Sequence, residues 1–331
     1  MDERQRKIEL WGKIVGAGVA FLACAVLVVM SVQGGRQRAE LARQSNSPEI
    51  QAIDPALIHY REVRRIETGV TGASGIAVTS EGNLYVAYDR LVIRFDAAGN
   101  QREAQSLDEV PDCLAIAGDG TTVVGTRKSI IGKSIAVYSK DRKRAARWTV
   151  PGKQAYLTSL AVSGNDVWAA DAGQRVVYHY DRSGKLLGRI GEKDAKRGIP
   201  GLLAPSPHLD VAAAKDGSVW VANPGRHRLE HYAKDGRLLS AWGKAGMEVE
   251  GFSGCCNPAD FALMPDGGIV TAEKGLKRVK VYRADGSLEG AVAGPDAFSK
   301  KDGALDVAVD GQGSIYVLDR GDGTVHVFTK K

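Results

Sequence analysis

The sequence predicts an all-β chain, a six-bladed β-propeller preceded by a single N-terminal transmembrane helix. Three observations lead there. An apolar run of nineteen residues, Ile14 to Val32, carries no charge. Six cycles of short apolar strands and tight turns repeat from Gly75 to the C-terminus. Their spacing of roughly 40 to 50 residues is that of a four-stranded propeller blade. The composition suits many short strands joined by turns: 40 glycines, with frequent Asp-Gly pairs, against 4 cysteines and 4 methionines in 331 residues.

Taken in order, residues 1–13 are expected to be a short cytoplasmic N-terminus and 14–32 the span. At about 1.5 Å per residue, IVGAGVAFLACAVLVVMSV nearly crosses a hydrocarbon core. Trp11 and Lys13 stand at its start, where an indole and a snorkelling amine are both comfortable. A cleaved signal peptide would have a shorter apolar core and a small-x-small cleavage site. Here the run ends in SVQGGRQ, and Cys24 lies mid-span, where it cannot serve a lipobox. A retained signal anchor is therefore expected, with the rest of the chain outside the cytoplasmic membrane. Residues 33–57, rich in Arg, Gln, Ser and Asn, read as a polar stalk, and 58–331 as the propeller. Seven Lys and Arg against four acids precede residue 46, so about half of the net charge of +6 belongs to the N-terminal segment. The remainder is small and evenly spread, which argues against a nucleic-acid surface.

The cycles share one physical plan. A four-residue apolar strand leads to a turn such as Asp216-Gly217 or Asp266-Gly267-Gly268, where glycine supplies the positive φ of a tight hairpin. An apolar or aromatic strand follows (LYVAY, VWAAD, VWVAN, IYVLD), then an alternating one (RLEHY, RVKVY, VHVF), then a fourth strand at the rim. No blade buries both faces alone, so a core requires stacking in a ring. The cycle from Cys113 to Asp141 departs most, with an insertion around Ser129 to Lys133. The chain ends in the third strand of the last cycle. Its missing rim strand is expected from Tyr60 to Ile66, closing the ring and removing an open edge.

In the fourth cycle DGSVWVANPGRHRLEHY, Asp216 to Tyr232, resembles the NHL repeat: D-G-x-[IVL]-[YW]-V-[AT]-[DN], then N/H-R-[VIL]-x-x-[FY]. The resemblance extends over about residues 60 to 331. It implies the six-bladed propeller and says little about function.

In a propeller the loops entering the innermost strands crowd round one mouth of the central channel. The residues concerned are Ser74-Gly75, Asp112-Cys113, Thr158-Ser159, His208 to Asp210, Cys255 to Asp260, and Ala304 to Asp306. On one reading His208, Asp210, Asp260 and Asp306 ligate a divalent metal, Ca²⁺ for carboxylates or Zn²⁺ with imidazole and thiolate help. On the other, the aspartates cap loop amides and hold water in the channel. Peptidyl-amidoglycolate lyases are similar in architecture and hold zinc with channel-facing histidines. His208 stands at such a position, but Gly75, Cys113, Ser159, Asp260 and Asp306 occupy the related places, so that activity is not expected here.

Cys255-Cys256, followed by Asn257-Pro258 in a turn-forming context, is the most unusual local feature. Adjacent cysteines can form a vicinal disulfide in an oxidising compartment. The alternatives are a bridge from Cys113 to one of the pair, or a purely structural staple of the loop. No Gly-x-Ser-x-Gly elbow, P-loop, His-Glu-x-x-His, Cys-x-x-Cys or haem-attachment motif is present. The sequence therefore favours a non-catalytic binding or scaffold propeller that holds a protein or small ligand in an envelope complex. Its candidate ligand residues are Cys113, His208, Asp210, Cys255, Cys256, Asn257, Asp260 and Asp306. A metal-dependent hydrolase or lyase at the mouth is the alternative, and an accessory of a membrane redox complex using Cys255-Cys256 a further one.

Overall fold

The cycles fold as four-stranded antiparallel sheets, the last of them completed by a strand from before the first cycle, and six such sheets make the ring. The computed structural model describes residues 52–129, 132–301 and 303–331; the apolar run at 14–32 and most of the stalk lie outside them. Among the described residues no helix is long and apolar enough to cross a membrane. The compact unit is Ala52–Lys331. It takes in residues 52–57 of the expected stalk; at the start of the expected propeller Ile58 bridges to Ala291 and the His59 amide donates to the Ala291 carbonyl at 3.0 Å.

Blade 1 comprises β2 (Gly75–Val78), β3 (Leu84–Tyr88), β4 (Leu91–Phe95) and β5 (Gln101–Ser106). Blade 2 has β6 (Pro111–Ile116), β7 (Thr122–Ser129), β8 (Gly132–Tyr138) and β9 (Arg144–Thr149). Blade 3 has β10 (Leu157–Ser163), β11 (Asp166–Asp171), β12 (Val176–Asp181) and β13 (Leu186–Ile190). Blade 4 has β14 (Asp210–Ala213), β15 (Val219–Asn223), β16 (Arg228–Tyr232) and β17 (Leu238–Trp242). Blade 5 has β18 (Asp260–Leu263), β19 (Ile269–Ala272), β20 (Val279–Tyr282) and β21 (Leu288–Ala293). Blade 6 has β22 (Leu305–Val309), β23 (Ile315–Asp319) and β24 (Thr324–Lys330) from the end of the chain. Its rim strand is β1 (Tyr60–Glu67), which pairs with β24 from Tyr60↔Lys330 to Glu67↔Thr324. The ring is thus closed by the strand expected from the sequence. In blade 2 the insertion lengthens the β7–β8 hairpin, with a register shift between Thr126 and Ser129.

The core lies between blades rather than within them. Six apolar clusters fill the six interfaces; Ile66, Leu318 and Val325 of blade 6, for example, meet Leu84, Val86 and Phe95 of blade 1. The glycine of a third-to-fourth-strand turn also has a packing role. Gly184, at φ +90°, lies under the Trp148 indole of blade 2, and a Cβ there would sit 2.3 Å from the ring. Gly286 of blade 5 stands in the same relation to Trp242 of blade 4, at 2.5 Å.

Strand ends also hold the mouth loops. The last residue of a second strand, or the residue after it, accepts the amide of the incoming blade-to-blade loop. Asp171 takes Tyr156, Asn223 takes Leu203, Glu273 takes Ser253 and Asp319 takes Ser299, at 2.7 to 2.9 Å. An amide that would otherwise be buried and unpaired is satisfied each time. The Asp or Asn of the repeat signature is there for this reason in blades 3, 4 and 6.

Candidate functional site at the channel mouth

Four of the six innermost strands begin, or nearly begin, with aspartate (Asp112, Asp210, Asp260 and Asp306), and the last three of these carboxylates reach forward to the next blade. Asp210 Oδ2 accepts the Phe261 amide at 2.7 Å, and its Oδ1 accepts the Val211 amide at 2.8 Å. Asp260 Oδ1 accepts the Val307 amide at 2.9 Å. Asp306 accepts the Ile76 amide across the ring closure, and its Oδ2 takes Arg320 Nη2 at 2.7 Å. Gly75 stands where blade 1 would carry its own aspartate. A Cβ there would lie 3.0 Å from Asp306 Oδ2, so glycine leaves room for the neighbour's carboxylate. On the blade 3 side Thr158 Oγ1 donates to the Leu209 carbonyl at 2.5 Å. The aspartates therefore staple blades 4, 5, 6 and 1 together at the mouth.

Burial raises these three carboxyls. That of Asp210 rises to about 7, with Asp306 adding to the effect of burial and the Ser159, Phe261 and Val211 hydrogen bonds opposing it. Asp260 is pushed well up by burial and by the charges of Asp306 and Asp210. Asp306 is raised by burial against the pull of Arg320. Arg320, in the β23–β24 turn, is pulled down by burial, but Asp306, Asp260 and Asp210 together push it above its ordinary value. One guanidinium serves three buried carboxyls, and protons neutralise part of the excess.

Above the acid ring lies a cavity of about 430 Å³, lined among others by Asp112, Tyr156, His208, Asp210, Asp260 and Arg320. Below it the channel proper, about 360 Å³, is walled by the six innermost strands. The His208 ring makes no hydrogen bond within the described residues. Burial, then the charges of Lys274 and Arg320, pull its pKa down to about 4, so it is neutral at physiological pH. A neutral imidazole with both nitrogens unengaged can donate and accept at once. Tyr156, exposed at 37%, turns its ring beneath Lys133 Nζ, 4.8 Å from the centroid.

The structure thus brings His208, Asp210, Asp260 and Asp306 to one mouth. Among the described residues, however, no three His, Cys, Asp or Glu side chains are placed to hold a metal ion. Both oxygens of Asp210 are committed to backbone amides, and those of Asp306 face Ile76 and Arg320. The contacts follow the amide-capping reading, and a cation would have to compete with these bonds.

The described cysteines separate into two places. Cys113 is buried in the wall of the channel, its Sγ within 2.6 Å of where a Cβ on Gly125 would stand. Cys255 is exposed, Cys256 is buried, and their Sγ atoms are 3.0 Å apart as free thiols. Asn257, 1% exposed, pins the loop: its Nδ2 donates to the Ser253 and Lys274 carbonyls at 2.7 and 3.1 Å. Its Oδ1 accepts the Lys274 amide at 2.9 Å. Asn257 is therefore a latch of the loop, its amide wholly engaged with backbone. Lys274 Nζ in turn donates to Ser206 Oγ at 2.9 Å, tying this loop to the one that carries His208.

Arg320, Lys274, Tyr156 and the buried ion cluster of blade 5 are not among the residues that the repeat pattern singles out. In that cluster Arg278 and Lys280 bind Glu273 at 3.0 and 2.7 Å. Burial pushes the Glu273 carboxyl up, but Lys280 and Arg278 outweigh it and hold it below the usual range. The signal was the run Glu273-Lys274-Gly275-Leu276-Lys277-Arg278-Val279-Lys280. It puts four bases and an acid where two apolar strands should meet.

Known proteins resemble the chain in fold. Streptogramin B lyase superposes with a TM-score of 0.57 at 11% identity, covering 84% of this chain and all of its own. The WD40 propeller domain of Doa1 gives 0.56 at 12%, over 82% of this chain and 97% of its own. A chain of the Mitotic Checkpoint Complex gives 0.54 at 12%, over 86% and 96%. No protein-family signature and no curated sequence matches. The chain is a six-bladed β-propeller. At such identities the likeness carries the fold and no activity.

Proposed function

We propose that the chain is a binding propeller: a membrane-anchored, extracytoplasmic domain of NHL-type repeats that holds a protein or small polar ligand at its channel mouth within an envelope complex. The observation that carries this reading is the cavity above the acid ring. His208 and Tyr156, whose side chains make no hydrogen bond within the described residues, open into it from loops pinned at strand ends. Preorganised polar groups in a concave site are what ligand binding needs. The anchor rests on the uncharged run Ile14 to Val32 with Trp11 and Lys13 at its edge, and the NHL kinship on the signature from Asp216 to Tyr232.

A metal-dependent hydrolase or lyase would draw on the same mouth, and streptogramin B lyase shares the fold. It is the weaker reading, because the carboxylates that would ligate or act as base are engaged with amides of neighbouring blades. Among the described residues His208 also has no hydrogen-bonded acid or nucleophile to work with.

The double variant Tyr156→Ala, His208→Ala removes two side chains that make no hydrogen bond within the described residues. In cross-linked, gently extracted membranes the full chain is expected in a complex larger than one chain. The double variant should release it as a single chain with an unchanged thermal midpoint. A wild-type chain recovered alone, or a complex that survives the double variant, would contradict the proposal.

A further inference from the structure

The turn bearing Cys255 and Cys256 is held on both sides by hydrogen bonds. Before it, the Ser253 amide and Oγ both donate to Glu273 Oε2 at 2.7 Å, and the Gly254 carbonyl meets His227 Nε2 at 2.8 Å. After it, Asn257 is latched to Ser253 and Lys274. Gly254 takes φ +70°, which a side chain would resist, so the chain turns sharply just ahead of the thiols. The result is two sulfurs in contact at 3.0 Å, one exposed and one only 2% exposed. A solvent-borne reagent can reach the first but not the second, and the second already touches the first.

We propose that Cys255-Cys256 is a two-electron dithiol site that is oxidised by small-molecule disulfides to a reversible vicinal disulfide, with Cys255 as the attacking and Cys256 as the resolving thiol. The inference stands apart from the binding role proposed for the mouth. Cys255, as thiolate, attacks one sulfur of the external disulfide. That S–S bond breaks, a mixed disulfide forms on Cys255, and the first small thiolate leaves and takes up the proton Cys255 lost. Cys256 then loses its proton and attacks the Cys255 sulfur. The mixed disulfide breaks and the second small thiol leaves with that proton. Two electrons pass from the pair to the reagent, and two small thiols are released. Neighbouring Cα atoms lie about 3.8 Å apart, less than disulfides ordinarily span, so the bond is strained and a dithiol reductant reopens it.

The test is intact-mass spectrometry and peptide mapping of the full chain in mild detergent, incubated with oxidised glutathione. The wild type should lose the mass of two hydrogens, without an adduct, in the peptide holding both cysteines, and regain it with dithiothreitol. Cys256→Ser should carry one stable glutathione on Cys255, and Cys255→Ser should leave Cys256 unmodified. A stable glutathione adduct on the wild-type pair, a pair left unreacted, or a bond mapped to Cys113 would overturn the proposal.

Discussion

Asp210 accepts two amides in a site almost without solvent, and burial lifts its carboxyl from 3.8 to about 7. Between those values the folded chain holds a proton that the unfolded chain has lost. The contribution of Asp210 to stability is therefore complete below about pH 4 and is lost as pH rises through 7. His208 runs the other way. Its value is pulled down from 6.5 to about 4, so its contribution is present above 6.5 and lost as pH falls. Urea unfolding of the full chain between pH 4.5 and 8 separates the two. Asp210→Asn should lower stability throughout, by about 1–3 kcal/mol for a disturbed buried acceptor, and make the decline toward pH 8 shallower, Asp260 and Asp306 keeping their share. A decline as steep as in the wild type would contradict the titration assigned to Asp210. At this scale the sequence placed Asp210, Asp260, Asp306 and His208 at one mouth. It could not show which amides the carboxylates would meet, because those amides belong to the next blade, 51 and 47 residues away for Asp210 and Asp260 and across the ring closure for Asp306. Arg320 stayed hidden for a similar reason: in sequence it is only a turn residue after Asp319.

At the level of elements, the turn glycines of blades 3 and 5 answer two requirements where the sequence showed one. Positive φ was legible from the Ser-Gly and Asp-Gly pairs; the tryptophan lying against Gly184 or Gly286 was not, because it comes from the preceding blade. The two requirements can be separated. Gly217 also has positive φ, at +84°, but nothing lies within 4 Å of an added Cβ. Gly217→Ala should therefore cost about 1–2 kcal/mol, the strain of a left-handed residue. Gly286→Ala should cost about 2–5 kcal/mol, since overpacking against Trp242 is added. Equal losses in urea unfolding would show that the tryptophan yields and that the glycine is there for φ alone. The strand-end grips on the mouth loops were half legible. The Asp or Asn after VWAA, VWVA or IYVL could be read as part of the repeat, but not the loop amide each one holds.

The molecule as a whole was the most legible part, because a repeat constrains every blade at once. Six cycles with the fourth strand missing from the last left Tyr60 to Ile66 as the closing strand, and β1 fills that place. The long loops at 191–209 and 243–259 follow no period, and they carry His208 and the paired thiols. Their shape depends on Asn223, Glu273 and Asn257, whose partners lie 17 to 22 residues away. At this scale the central claim is that the acid ring staples the propeller and that function lies in the cavity above it. Elemental analysis of the full chain, purified in mild detergent without chelators, tests that claim most directly. The account predicts calcium, magnesium, zinc and copper all well below one equivalent, and no change on Asp260→Asn. One equivalent of any of them, lost in Asp260→Asn or His208→Ala, would contradict it and turn the mouth into a metal centre.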